Sequence, residues 1–489
     1  MQKHICIVGS GTAGLLSAII LKGHFPFYSF TVVSSSKIGI IGVGEGSTEH
    51  WRMYFQDAHN LDVGEMVREC AATHKYGIRF ENWTKHTPDY FHSVSGGEIG
   101  PNHFAANYAF AHENGILLTN SMICHLYDNK IPLNKENPHN AVNQFHFDTF
   151  KLNTYLTRVA KARGINFIDD EVTTVNRNTE DGFIESISLS KGKSVSADFF
   201  IDASGFSRVL MSKLVDGEKD FESYRKYLPC DSAAVFQTPP DESGQIRPYT
   251  RARAMPSGWM WEIPTQERRG NGYVFASDFC SDEQAVKDIS KAHGKDIEPA
   301  RIIRFKSGYY RTGLAYNCAA VGLSSSFVEP LEATAISTAI QQARMLTSVL
   351  SVFKKESSAV VRHYNNQFKS LMENIVTMVA LHYISDRNDT EMWREQQKAQ
   401  KPELLDRLLS IWSERCPEVY DYPIFGYELF HNAHLWHVAQ GQGVIPKTVA
   451  TEQLNVYGSR NPASRIMAEK KTEALKLELV DHASIFKKA

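Results

Sequence analysis

Four stretches of the chain carry residue types that could do chemistry. ATHKYGIRFENW (72–83) sets Lys75 amid apolar and aromatic residues, and SSSFVEPLEATAI (324–336) sets Glu329 and Glu332 around Pro330, just before a helical pattern. GSGTAG (9–14) spaces Gly9, Gly11 and Gly14 as G-x-G-x-x-G, a nucleotide-binding spacing. GWMWEIP (258–264) puts two of only seven tryptophans, Trp259 and Trp261, one residue apart and before Pro264. Each has a plain alternative. Lys75 can be a solvated lysine on a strand. Glu332 can be a first-turn acid that offsets the helix macrodipole. The indoles share a face in a strand, where they can anchor a strand edge that Pro264 ends.

The glycines have the elements they require. HICIV (4–8) reads as a buried parallel strand, GSGTAGLLSAIILK as a turn feeding a helix, and FTVVS (30–34) as the next strand. In that setting Gly9 permits the tight turn, Gly11 lets backbone approach a pyrophosphate, and Gly14 lets helix and strand pack closely. Thr12 and Ala13 open the helix, whose free N–H groups face the phosphates. The acid that usually follows about twenty residues later, for the ribose hydroxyls, falls at Ser34 in VVSSSK. A serine hydrogen-bonds a ribose without the charge-assisted strength of a carboxylate, so weaker dinucleotide binding is expected.

Further along, HFDTFKLNTYLTRVAKARG (146–164) reads as helix and NFIDDEVTTVNR (166–177) as strand; SADFFIDASGF (196–206) and NCAAVGL (317–323) are also strand-like. GVGEGS (42–47) is a second glycine-rich loop. From about residue 332 the pattern turns mostly helical, and the charged tail AEKKTEALKLELV (468–480) reads as a solvated amphipathic helix. The expected fold class is α/β. The expected division is a nucleotide-binding unit over 1–345, with an inserted segment at about 84–140, and a helical unit over 346–489.

Composition narrows the function classes. The 489 residues are 42% hydrophobic and 22% charged with a net charge of −2, an ordinary globular balance with no field that favours nucleic acid or an anionic membrane. No apolar stretch reaches membrane-spanning length, and the start has no signal-peptide layout. Cys6, Cys70, Cys124, Cys230, Cys280, Cys318 and Cys416 are scattered with no C-x-x-C. Reduced thiols in a cytoplasmic compartment are expected, and no metal site.

Taken in order, the motifs resemble those of flavin-dependent halogenases of the tryptophan-halogenase family. The resemblance runs from GSGTAG to EPLEATA. It includes GVGEGS, HKYGIRFENW, HFDTFKLNTYL, FIDASGF, GWMWEIP for a W-x-W-x-I-P motif, and NCAAVGLSSSFVEPLEATA. It implies a Rossmann-type FAD-binding box, related to glutathione-reductase-like flavoproteins, topped by a mostly helical pyramid. It implies reduced FAD, O₂ and a halide (chloride, bromide or iodide) as reactants, and a separate flavin reductase and an aromatic small molecule as partners. No nucleic acid or membrane partner is implied, and a homo-oligomer is left open.

The resemblance also assigns roles. Gly9, Gly11, Thr12, Ala13, Gly14, Ser34, Gly44, Glu45, Asp202, Gly205 and Leu323 match flavin-contacting positions. Trp259 and Trp261 match a wall that keeps organic substrate from the activated oxygen, so that halide is oxidised to hypohalous acid. Lys75 matches the lysine at the end of a tunnel that receives this oxidant, either hydrogen-bonding it or forming a haloamine. Glu332 matches the glutamate beside the substrate, and the backbone N–H groups of Thr334 and Ala335 match the halide site. His92, Val94 and Trp436 are the candidates for the substrate pocket.

The chain departs from the family pattern in three places. Glu-Ser-Thr-Gly is Glu332-Ala333-Thr334-Ala335, the acid of the second strand is Ser34, and Val94 replaces a phenylalanine that would stack on an indole. Two rival readings remain at this level. One is a single-component flavin hydroxylase, which needs a pyridine nucleotide and open substrate access. The other is a flavin-binding protein without chemistry.

Overall fold

The computed structural model describes residues 2–40, 42, 45–87, 89–93, 109, 126–355, 357–418, 420–423, 426–457 and 478–486. The fold is mixed α/β, and the chain divides into two compact units. One takes Met1–Ala71, Phe147–Tyr224 and Lys306–Met372; the other takes Ala72–His146, Arg225–Phe305 and Glu373–Ala489. Each is assembled from three separated stretches, where the sequence suggested one division near residue 345. Local patterns register a strand but not the sheet it joins.

The first unit is built on a six-stranded sheet. Its order is Leu314–Ala315, Cys318–Ala320, Phe199–Asp202, His4–Val8, Ser29–Ser34 and Asn166–Asp169. All neighbours are parallel except the first pair. Strands covered on both faces read as continuous apolar runs, and Ile5, Cys6 and Ile7 are fully buried. Strand His4–Val8, helix Thr12–His24 and strand Ser29–Ser34 form the expected β-α-β opening. The helix over 146–164 is Thr149–Ala162, started by Asp148, whose carboxylate accepts from the N–H groups of Phe150 and Lys151. The single strand expected over 166–177 is two. Asn166–Asp169 ends the large sheet, and Val172–Arg177 enters a separate antiparallel sheet. The break falls where Asp170 N–H donates to Ser34 O.

The second unit holds a seven-stranded sheet. Its order is Arg301–Arg304, Ser232–Thr238, Arg269–Phe275, Gly258–Pro264, Thr250–Met255, Ile78–Glu81 and Asp89–His92. Only the Thr250–Met255 and Ile78–Glu81 pair is parallel. Helices Glu403–Trp412, Asn432–Gly441 and Lys447–Tyr457 belong to the same unit. The helix expected over 468–480 is corrected at its end. Leu479–Asp481 is a strand paired antiparallel with Lys130–Pro132, and residues 468–477 lie outside the described residues.

No helix among the described residues is long and apolar enough to cross a membrane. Among them, six cysteines are free and buried, and no group of His, Cys, Asp or Glu could hold a metal ion; Cys124 lies outside them.

Candidate active site

In the first unit the glycine turn is built as its spacing demands. Gly9 has φ +111°, and a Cβ there would collide with the Ala203 carbonyl of the neighbouring strand end. A Cβ on Gly14 would collide with the Gly9 carbonyl. At Gly11, by contrast, a Cβ would meet nothing within 4 Å. Gly11 caps helix Thr12–His24 with no side-chain hydrogen bond and no acid in the first turn. An uncapped helix start with open space before it leaves backbone N–H groups free to meet an anion.

Other expected flavin residues gather in this unit. Val321 N–H donates to Asp202 O, which brings the Gly322–Ser324 turn, with half-buried Leu323, to the end of strand Phe199–Asp202. A Cβ on Gly322 would press on the Ala13 methyl, so this turn lies against the start of the first helix. The Asp202 carboxylate is fully engaged by the protein. It accepts from the N–H groups of Ser204, Leu210 and Met211 and from the hydroxyls of Ser204 and Ser324. Its work is therefore to shape the turn at Gly205, where φ is +68°. Glu45 is half-buried, but its Oε2 is buried without a hydrogen-bond partner, and burial pushes its carboxyl up to about 7. A buried carboxyl oxygen lacking a hydrogen-bond partner fits a group that brings donors of its own, as a flavin nucleotide does. Gly44 lies outside the described residues.

Ser34 has no carboxylate, but one stands beside it. Asp169 is its register partner on the neighbouring strand, and its two oxygens accept from Ser36 N–H at 2.8 Å and Ser36 Oγ at 2.9 Å. Glu171 accepts from Ser35 Oγ at 3.1 Å. The two bonds from Ser36 hold the Asp169 carboxyl below its usual range. Sequence reasoning missed Asp169 because its place depends on sheet order. It also missed Arg208, 4% exposed with φ +44°, which lies over the Tyr310 ring and donates from Nη1 to Ser324 O, while Nε and Nη2 have no hydrogen-bond partner. A buried guanidinium with unused donors suits an anionic group.

The acidic loop completes this unit. Glu329 and Glu332 are both buried. Glu332 has φ +70° and Ala333 φ +55°, two consecutive non-glycine residues in the left-handed region, a strained turn of the kind found at functional sites. The turn delivers the chain into helix Thr334–Val352, whose first turn has no capping side chain and no acid. Thr334 is buried and Ala335 exposed. The hydroxyls of Thr48 and Ser337 meet at 2.6 Å, which ties the residue directly after GVGEGS to this helix start.

In the second unit Lys75 is 0% exposed, which corrects the reading of it as a solvated strand lysine. It follows strand Thr73–His74, and its N–H donates to Gln144 O. The two indoles occupy the central strand Gly258–Pro264, with ring centroids 6.0 Å apart. Trp259 and Trp261 are 1% and 7% exposed, and the Trp259 Nε1 is buried without a partner. Pro264 still lies opposite Arg269, so the strand is a sheet interior and not an edge. His92 is buried and meets His434 Nδ1 at 3.0 Å through its Nε2; Trp436 is buried on the same helix as His434. Val94 lies outside the described residues.

Known proteins resemble this chain in sequence and in fold. A family profile described as tryptophan halogenase matches residues 4–455. The chain is 31% identical over 457 residues to tryptophan 6-halogenase SttH of Streptomyces toxytricini, covering 85% of this chain and 84% of that one. It is similar to the structure of Tar14, a tryptophan C-6 flavin-dependent halogenase (chlorinase) from taromycin biosynthesis, with TM-score 0.90, 27% identity and 99% of each chain covered. It is also similar to the structure of BrvH, a flavin-dependent halogenase from Brevundimonas sp. BAL3, with TM-score 0.84, 28% identity, and 99% and 98% covered.

Proposed function

The chain belongs to the tryptophan halogenase family of flavin-dependent enzymes, and from that premise we propose that it halogenates an electron-rich aromatic small molecule, indole- or tryptophan-like, using reduced FAD, O₂ and a halide. The observation that carries the reading is the complete burial of Lys75 in a chain whose family match spans residues 4–455. A lysine excluded from water needs a reason, because its ammonium is costly to bury.

The chain's own residues divide the work. Gly9, Gly11 and Gly14 and the start of helix Thr12–His24 hold the dinucleotide phosphates, with Ser34, Glu45, Asp202, Gly205 and Leu323 shaping the rest of the flavin site. When bound, reduced flavin with O₂ supplies the oxidising power that turns halide into hypohalous acid. The N–H groups of Thr334 and Ala335, at an uncapped helix start, hold the halide. Trp259 and Trp261 exclude the organic substrate by bulk. Lys75 receives the oxidant and orients it, as ammonium through a hydrogen bond or as amine through nitrogen. Glu332 takes the proton that the ring loses after halogen adds. His92 and Trp436 contribute to the pocket for the aromatic ring. A separate reductase supplies reduced flavin.

A single-turnover reaction with chemically reduced FAD, bromide and a panel of indoles tests the reading. Brominated product in the mass spectrum is expected. Oxygenated product with NADH consumption by the protein alone would mean a single-component hydroxylase. Flavin binding with neither product would mean a protein without this chemistry.

A further inference from the structure

Lys75 sits at the end of a short antiparallel ladder. Thr73 pairs with His146 and His74 with Phe145, and the Lys75 N–H donates to Gln144 O at 3.0 Å. Alternate residues of a strand share a face, so Thr73 and Lys75 project together, and His146 stands diagonally across from Lys75. The next residues are pinned as well. Tyr76 N–H donates to Pro248 O at 2.7 Å, and Thr250 N–H donates to Gly77 O at 3.1 Å.

Three contacts settle the tautomer of His146. Thr73 Oγ1 lies 2.6 Å from Pro264 O, which can only accept, so the hydroxyl proton goes there. The same oxygen is then an acceptor for His146 Nδ1 at 3.1 Å, and Nδ1 must carry the ring proton. Nε2 keeps a lone pair and accepts from Thr250 Oγ1 at 2.9 Å. Both nitrogens are satisfied with the ring neutral. Burial, with the charges of Lys75 and His482, holds the imidazole well below its usual pKa. His146 is 0% exposed. It joins the last residue of the indole strand, through Thr73, to the first residue of strand Thr250–Met255.

We propose that His146 is a positioning residue for Lys75: an imidazole locked in one tautomer between Thr73 and Thr250 that occupies the space diagonal to the lysine and fixes where its amine can reach. With both nitrogens engaged it is not the reaction's base. The proposal rests on the reading of Lys75 as the residue that passes oxidant to the substrate. Its signature is therefore uncoupling, in which oxidant still forms but less of it reaches the aromatic ring.

The test follows organic halide formed per flavin oxidised, with hypohalous acid captured by a small β-diketone. In His146→Ala, flavin oxidation should continue, product per flavin should fall by about 10²-fold, and captured oxidant should rise. His146→Gln, which keeps an acceptor for Thr250, should recover much of the ratio. Thr250→Val leaves the ring in place without its Nε2 donor and should show an intermediate fall; it also decides the matter if His146→Ala does not fold. An unchanged ratio in Thr250→Val and in any folded His146→Ala overturns the proposal, as does a loss of product in step with flavin oxidation. Lys75→Ala is run alongside. If it keeps making product, the reading of the lysine fails and this proposal with it. If it loses product while the His146 and Thr250 variants do not, the positioning role alone fails.

Discussion

The indole of Trp261 covers Gly272, its partner on the neighbouring strand, so closely that a Cβ at position 272 would lie only 2.1 Å from the ring carbon Cη2. The missing side chain on one strand thus makes room for the largest side chain on the next. Trp261→Ala or Trp259→Ala opens that wall at a cost of about 3–5 kcal/mol in stability, so folding is checked first. If the indoles exclude organic substrate, oxygenated product or uncoupled peroxide should rise relative to halogenated product in the mass spectrum at fixed halide. An unchanged ratio in both variants would leave the indoles as packing only.

Lys75→Ala should abolish halogenated product while flavin oxidation and hypohalous acid formation persist. Lys75→Arg should not restore product, because a guanidinium stays charged at working pH and cannot act as a neutral amine. Product assays with parallel oxidant capture check both. Normal halogenation by Lys75→Ala would remove the lysine from the reaction.

Glu332→Gln keeps the size of the side chain in its left-handed turn and removes the base. Turnover should fall by about 10²–10⁴ if the carboxylate takes the ring proton. Flavin affinity, read by fluorescence titration, should stay within error. Loss of flavin with an undiminished rate per bound flavin would make the residue structural.

Glu45 gives the protein without flavin a pH signature. Its folded-state carboxyl is raised from an ordinary value of 4.5 to about 7, so over that interval the folded chain holds a proton that the unfolded chain releases. Stability from this group is present below the lower value and lost as pH rises through the upper one. Urea midpoints of the wild type should therefore decline across that window relative to Glu45→Gln, in which no carboxyl titrates. Parallel curves for the two proteins would count against a buried, protonated Glu45.

Much of the fold was legible because its elements carry local signals. The run HICIV and the three glycines define a parallel strand, a tight turn and a helix start, and each takes the conformation its composition demands. The pair of indoles was legible as one face of a strand for the same reason. The left-handed turn at Glu332-Ala333 was not, because neither residue is one that ordinarily signals positive φ. Asp169 and His146 were invisible as site residues because their meaning comes from register. Asp169 matters through lying beside Ser34, and His146 through lying opposite Thr73. No spacing along the chain encodes either neighbour.

The ribosome makes residues 72–146 well before residues 373–489, yet both belong to the unit that buries Lys75. Strand Lys130–Pro132 has its partner at Leu479–Asp481, so at roughly 5–20 residues per second it waits on the order of tens of seconds for that partner. During that interval the nascent chain carries an unpaired strand edge, an invitation to pair with another chain. Yield in a heterologous host should accordingly depend on translation temperature and on chaperones that cover such edges, more than the stability of the finished enzyme would suggest.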